Sequence, residues 1–199
     1  MRFRSTAAYV LTGALFALTS LTAAAPLRSE ADAFTRKVAR IMRNGEGPAA
    51  SVPLRTTITE SELNSWLAYA DPDLLPSGLT NATVTILGSG RVRGEALVGV
   101  EALGGGRPRG PRDSFGLLGG RLAVVVTGTV HARAGAGRFE LQTASLSGLP
   151  VPAALVQELV SYFSRTSDNP DGVQLEDTFE LPVHIREIEL VRGQAVVVQ

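Results

Sequence analysis

The stretch Leu122–Arg133, LAVVVTGTVHAR, predicts the longest strand of the chain, and it decides the fold class. Successive side chains of a strand point to opposite faces, so the residues of this stretch divide into two sets. One set contains threonines and His131. The other set is wholly apolar and consists of Leu122, Val124, Val126 and Val130. Such alternation predicts a half-buried strand of an antiparallel sheet.

Similar alternation flanks this strand on both sides. Ala134-Gly135-Ala136-Gly137 predicts a hairpin turn into a strand from Arg138 to Leu146. Upstream, Val84 and Ile86 alternate with threonines, and a turn at Ser89-Gly90 leads into a further strand. The connecting segment 104–120 is rich in glycine and proline, which predicts a surface loop.

Helical spacing of apolar residues predicts three helices. The first starts at a weak capping box at Ser29 and closes at Asn44-Gly45. The second starts at a stronger box, in which Thr59 and Glu62 are three residues apart. The third runs from Ala153 to Arg165 and presents an apolar stripe through Leu155, Leu159 and Phe163.

A closing hairpin follows, with strands at Phe179–Leu190 and Ala195–Gln199. Helices that are segregated from runs of strands predict an α+β fold. We expect a single domain at 52–199, preceded by a helix and a loop at 26–51.

Residues 1–25 predict export of the chain. Arg2 and Arg4 precede an apolar run from Val10 to Leu21, and small residues at 22–25 suit a signal peptidase. The uncharged stretch Ala8–Ala25 borders on membrane-spanning length, so an uncleaved N-terminal anchor is the alternative. Both interpretations place the protein in the periplasm or cell envelope. A retained segment would also give it a membrane contact.

Composition and motif spacing argue against several function classes. Lys and Arg number 19 and so do Asp and Glu, so no strong field recruits nucleic acid. The chain has no cysteine and no paired-histidine motif, and we expect no metal. His131 and His184 are isolated within strand patterns, and no Gly-x-Ser-x-Gly turn accompanies them. We therefore expect neither an enzyme nor a cofactor; a hydrolase using one of these histidines is the least favoured alternative.

Three motifs follow one another in a recognisable order. They are the capped helix TESELNSWL at 59–67, GLPVP at 148–152 leading into LVQEL at 155–159, and LPVHI at 181–185 before a short final strand. This order resembles the small bacterial relatives of the tubular lipid-binding (TULIP) superfamily, to which bactericidal/permeability-increasing protein belongs. The resemblance covers 52–199 and implies a long curved antiparallel sheet packed against a few helices. It also implies an apolar groove for acyl chains.

Together these observations predict a non-enzymatic envelope protein that binds lipid or another apolar small molecule. An apolar sheet face is ordinarily filled by the protein's own side chains. The alternative is therefore a structural or protein-interaction module with a closed core and a protein partner. The residues expected to line a groove are Trp66, Val84, Ile86, Leu122, Val124, Val126, Val130, Leu155, Leu159 and Phe163.

Overall fold

The computed structural model describes residues 25–48, 51–71, 74–75, 78–99, 120–165 and 170–199. The signal segment expected at 1–25 lies outside the described residues except for its last residue. The loop expected at 104–120 also lies outside them, apart from Gly120. Within the described residues, no helix has the length and apolarity needed to cross a membrane.

Three helices and nine strands make up the described part of the chain. The helices are α1 (Arg28–Glu46), α2 (Glu60–Tyr69) and α3 (Ala153–Phe163). The strands are β1 (Arg55–Thr59), β2 (Leu79–Gly88), β3 (Arg91–Gly99), β4 (Arg121–Arg133), β5 (Ala136–Leu146), β6 (Leu149–Pro150), β7 (Phe179–Glu180), β8 (Glu187–Val191) and β9 (Gln194–Val198). The α+β class is therefore confirmed.

The larger sheet has the order β2-β3-β4-β5, and both β6 and β7 pair with the outer edge of β5. All of its pairings are antiparallel. Tight turns at Ser89-Gly90 and Ala134-Gly135 join the long strands, and all four turn residues have positive φ. Two positive φ values match the twist of a two-residue hairpin, which explains the glycine at the second position.

The smaller sheet, of order β1-β9-β8, closes one end of the larger one. Strand β8 reaches both hairpin turns, since Gly90 donates to the Leu190 carbonyl (3.4 Å) and Gly135 to the Arg186 carbonyl (3.0 Å). We call this the capped end of the molecule. The opposite end, where β2 and β4 begin and β3 and β5 finish, is the far end.

The main core lies between α1 and the smaller sheet. Its buried residues are Ile41, Ile185 and Val197, and half-buried side chains such as Ile58 pack around them. The side-chain amide of Gln199 donates to the carbonyls of Ile41 (2.9 Å) and Val183 (2.7 Å). This buried amide therefore ties the last strand to α1 with its donors satisfied.

Helices α1 and α2 pack against each other in antiparallel directions. Near the far end, Leu27 at the start of α1 donates to Ser65 of α2 (3.1 Å), and the Tyr69 hydroxyl donates to the Pro26 carbonyl (3.2 Å). At the capped end, α2 begins beside the turn of the β8–β9 hairpin, where Glu60 donates to the Gly193 carbonyl (2.8 Å). These contacts fix which end of each helix lies at which end of the molecule.

The capping box of α2 is confirmed, whereas three details of the sequence interpretation are wrong. Helix α1 starts after Leu27 and has no side-chain cap, so Ser29 is not a capping residue. Strand β1 was not predicted at all. The strand expected at Phe179–Leu190 is broken, because Pro182 and the positive φ of Val183 separate β7 from β8.

Candidate functional site

Side chains of α2 hold the outer edge of β2. Asn64 forms two hydrogen bonds with the backbone of Val84, accepting from its N–H (2.7 Å) and donating to its carbonyl (2.8 Å). Glu60 accepts from the N–H of Ile86 (2.6 Å). An edge strand otherwise offers free backbone groups to another strand. Helix α2 therefore blocks strand addition along this stretch of β2.

The register of the larger sheet brings six of the predicted residues to one face. Across the strands, one row of this face reads Val84, Gly94, Val126 and Ala144. Every residue of this face in β3, β4 and β5 is apolar or glycine, and we call it the apolar face. The predicted residues on it are Val84, Ile86, Leu122, Val124, Val126 and Val130.

The apolar face is covered unevenly. Ile86 and Leu122 are buried, whereas Val84, Val124, Val126 and Val130 remain half-buried. Within the described residues, α2 packs against β2 and α3 approaches β5, and no helix packs closely along β3 or β4. The middle strands therefore keep part of their hydrocarbon surface uncovered by these helices.

Three glycines on the apolar face show where the covering stops. A Cβ at Gly128 would collide with the ring of Phe139, and a Cβ at Gly137 would lie 2.6 Å from the ring of Phe179. A Cβ at Gly94 would meet nothing within 4 Å. Glycine inside a strand often marks a close approach of another group. At two of these positions the protein supplies that group itself, whereas at Gly94 no described residue does.

The four helical residues expected in the groove have different surroundings. The Trp66 ring stacks at 5.1 Å against Phe34 of α1, so it belongs to the contact between α1 and α2. Leu155 and Leu159 are half-buried on α3, which lies beside β5. Phe163 ends α3, and its side chain lies outside what the structure describes.

A cleft of about 620 Å³ opens at the capped end, between β8 and the β4–β5 hairpin. Of the predicted groove residues, only Val130 lines it. Its walls also carry charged residues, among them Arg133 and Glu187, which form an ion pair at 3.3 Å. The cleft is therefore separate from the apolar face, has walls of mixed polarity, and adjoins that face at the capped end. Its volume lies in the range of small-molecule sites, and its charged wall residues form ion pairs with one another or with residues just outside the cleft.

Among the described residues, neither histidine has the neighbours that nucleophilic catalysis requires. His131 lies 3.0 Å from Glu140 on the outer face of the larger sheet, and their side chains are 50% and 57% exposed. No cluster of three potential metal ligands occurs in the part of the chain that the structure describes. A nucleophile would need a base that a third group orients. His131 has only one carboxylate beside it, and His184 is exposed on a bend.

An ion pair between Lys37 and Glu62 joins α1 to α2. Lys37 donates to both carboxylate oxygens of Glu62 (2.6 and 2.7 Å), and Glu62 also accepts from the Thr59 N–H (2.9 Å). Desolvation by burial raises the pKa of Glu62, but the hydrogen bonds from Lys37 and Thr59 outweigh it and hold the pKa below its ordinary value. Glu62 is therefore a charged structural group.

Sequence reasoning missed the glycines of the apolar face and the rings that cover two of them. An isolated glycine inside a strand pattern, as in RVRGEALVG at 91–99, is the signal that could have pointed to this space. No protein-family model matches the sequence, and no curated protein matches it either. A function for this chain can therefore be inferred only from its geometry and from the motif resemblance.

Proposed function

We propose that the chain is a non-enzymatic, exported protein that binds a lipid or another elongated apolar molecule on the apolar face. Helix α2 holds one edge of the sheet, and β8 caps one end. Between them, the middle strands present methyl and methylene groups without a charged side chain. Burial of a hydrocarbon chain there would stabilise the complex by roughly 0.8 kcal/mol for each methylene removed from water. Export is supported by the N-terminal sequence.

The single observation that carries this proposal is the space in front of Gly94. The next residue on the same strand and face is Ala96, and Val126 beside Gly94 pairs in turn with Ala144, so two further small residues lie close to it. Val84 and Val126 flank it directly and stay half-buried. In a closed core we would expect a side chain of the described residues against Gly94, because protein interiors leave few voids.

The proposal is tested by filling the hollow. Gly94 does not have a left-handed backbone, and a Cβ there meets no atom, so Gly94→Phe should fold. Aromatic residues also suit strands. The matched control is Gly47→Phe, because Gly47 has φ −94° and a Cβ there meets nothing within 4 Å either.

Each protein is purified without detergent, extracted with organic solvent, and titrated with a fluorescent fatty acid. We expect lipid in extracts of the wild type and of Gly47→Phe, and an affinity loss of roughly tenfold or more in Gly94→Phe. Extracts no richer than those of an unrelated protein, with no titratable binding, would leave the closed interaction module as the better interpretation. Equal affinities in all three proteins would place any ligand elsewhere, for example in the cleft beside β8.

A further inference from the structure

Two leucines near the far end are the most exposed leucines of the described residues. Leu149 is 71% exposed and Leu74 is 66% exposed. Leu149 follows the end of β5, and Leu74 precedes the start of β2. Those strand ends lie at the same end of the sheet, because Leu79 pairs with Val98, which in turn pairs with Leu122 at the start of β4. The two leucines therefore project from opposite edges of one end.

The chain around Leu149 also lacks charge. From Leu141 to Gln157 the sequence contains no Asp, Glu, Lys or Arg. This stretch includes the turn Ser147-Gly148 and strand β6, whose residues are all exposed to water. Solvent-exposed turns ordinarily carry polar residues, and an exposed apolar tip marks an interaction surface.

The start of α1 adds an independent observation. Leu27 is exposed, and the hydrogen bond between Tyr69 and Pro26 places it at the far end. The sequence immediately before α1 is the uncharged stretch Ala8–Ala25. The chain therefore enters the described domain at the far end, directly after a segment whose sequence favours a bilayer.

We propose that the far end docks onto a lipid bilayer, with Leu149 and Leu74 immersed at its surface. The N-terminal apolar stretch, while attached, would direct this same end toward the membrane. Charges of both signs lie near this end. The positive ones include Arg28, which lies over the ring of Tyr69, and Arg121, and Glu30 is a negative one. Docking here depends on apolar insertion and not on attraction to anionic lipid. It goes beyond the proposed function and does not require that the apolar face hold a ligand.

The absence of cysteine allows a site-specific test on the full chain. Leu149→Cys and Leu74→Cys each carry a single environment-sensitive fluorophore. The control is Val52→Cys, because Val52 is 70% exposed and its neighbour Leu54 pairs with Gln199 beside the small sheet, at the capped end. The labelled proteins are mixed with vesicles of phosphatidylcholine, and separately with phosphatidylethanolamine and phosphatidylglycerol, each with and without bromine-labelled acyl chains.

We expect the labels at 149 and 74 to shift to the blue and to be quenched several-fold more by brominated lipid than the label at 52. The shift should be similar on both kinds of vesicle. Equal quenching at all three positions would mean unspecific adsorption and would overturn the proposal, as would labels at 149 and 74 that stay in water. A shift confined to the anionic vesicles would refute insertion as the cause. Gly94→Phe should leave these shifts unchanged, so failure of the ligand proposal and failure of the docking proposal are distinguishable.

Discussion

Removal of the Glu62 charge should destabilise the protein at neutral pH while leaving its capping box in place. Glu62 is 6% exposed and accepts three hydrogen bonds, two of them from Lys37. In Glu62→Gln the side-chain carbonyl still accepts from the Thr59 N–H, since glutamine suits this position of the box. The substitution therefore removes the ion pair and little else.

The expected loss of stability depends on how exposed Lys37, the partner of Glu62, is to water. Breaking a fully buried pair costs about 3–5 kcal/mol, because one charge stays buried without a partner. The Lys37 side chain is 25% exposed, so water screens the ammonium that remains. We expect a loss of about 2 kcal/mol, equivalent to a fall in Tm of about 4–8 °C for a domain of this size.

The effect should depend on pH in a defined direction. The pKa of Glu62 is lowered in the folded protein, so its contribution is present above the pKa of the unfolded chain and is lost as pH falls through the folded value. Glutamine does not titrate. The difference in the free energy of unfolding between wild type and Glu62→Gln should therefore shrink as the solution is acidified.

Urea unfolding followed by Trp66 fluorescence measures this difference at each pH, and far-ultraviolet circular dichroism checks that both probes report one transition. A double-mutant cycle with Lys37→Met isolates the pair, and we expect a coupling free energy of at least about 1 kcal/mol. A coupling near zero at neutral pH, or a difference that stays constant into acid, would refute the reasoning.

Two further substitutions probe the sheet. Gly128→Val should destabilise the protein by about 1–3 kcal/mol in chemical unfolding, because the added Cβ collides with the Phe139 ring; unchanged stability would show that the ring is free to move away. Asn64→Leu removes both hydrogen bonds to the backbone of Val84, so we expect concentration-dependent association by light scattering through the freed edge of β2, and a variant that stays monomeric would show that the edge is protected otherwise.

Periodicity predicted the long strands and the three helices well, because a strand such as β4 alternates over many residues and α2 carries its own capping signal. Strand β1 escaped notice, since its five residues RTTIT run directly into the α2 cap and contain no full pattern. Local pattern also shows which residues share a helix face but not which neighbour that face meets. Trp66 was expected to line the groove, whereas its ring packs on Phe34.

The candidate site was harder to predict because it depends on register and on residues without side chains. Alternation alone placed Val124 and Val126 on an apolar face, but not Gly94 between Val84 and Val126. The position of Gly94 depends on how three strands pair. A shift of the register by one residue would move its side of the strand to the other face. The contacts of Phe139 with Gly128 and of Phe179 with Gly137 were likewise not predicted, since each joins residues of two different strands.

The three glycines of the apolar face also differ in how their cost in folding free energy is offset. A glycine inside a strand costs roughly 0.5–1 kcal/mol relative to alanine, and a covering aromatic ring returns part of that loss by burying its own surface. Gly128 and Gly137 have such rings, whereas none of the described residues covers Gly94. Within the described part of the chain, Gly94 therefore carries the cost of a strand glycine without a covering ring, beside valines that remain half-buried. Under the proposed function, burial of an apolar ligand against those valines would offset this cost.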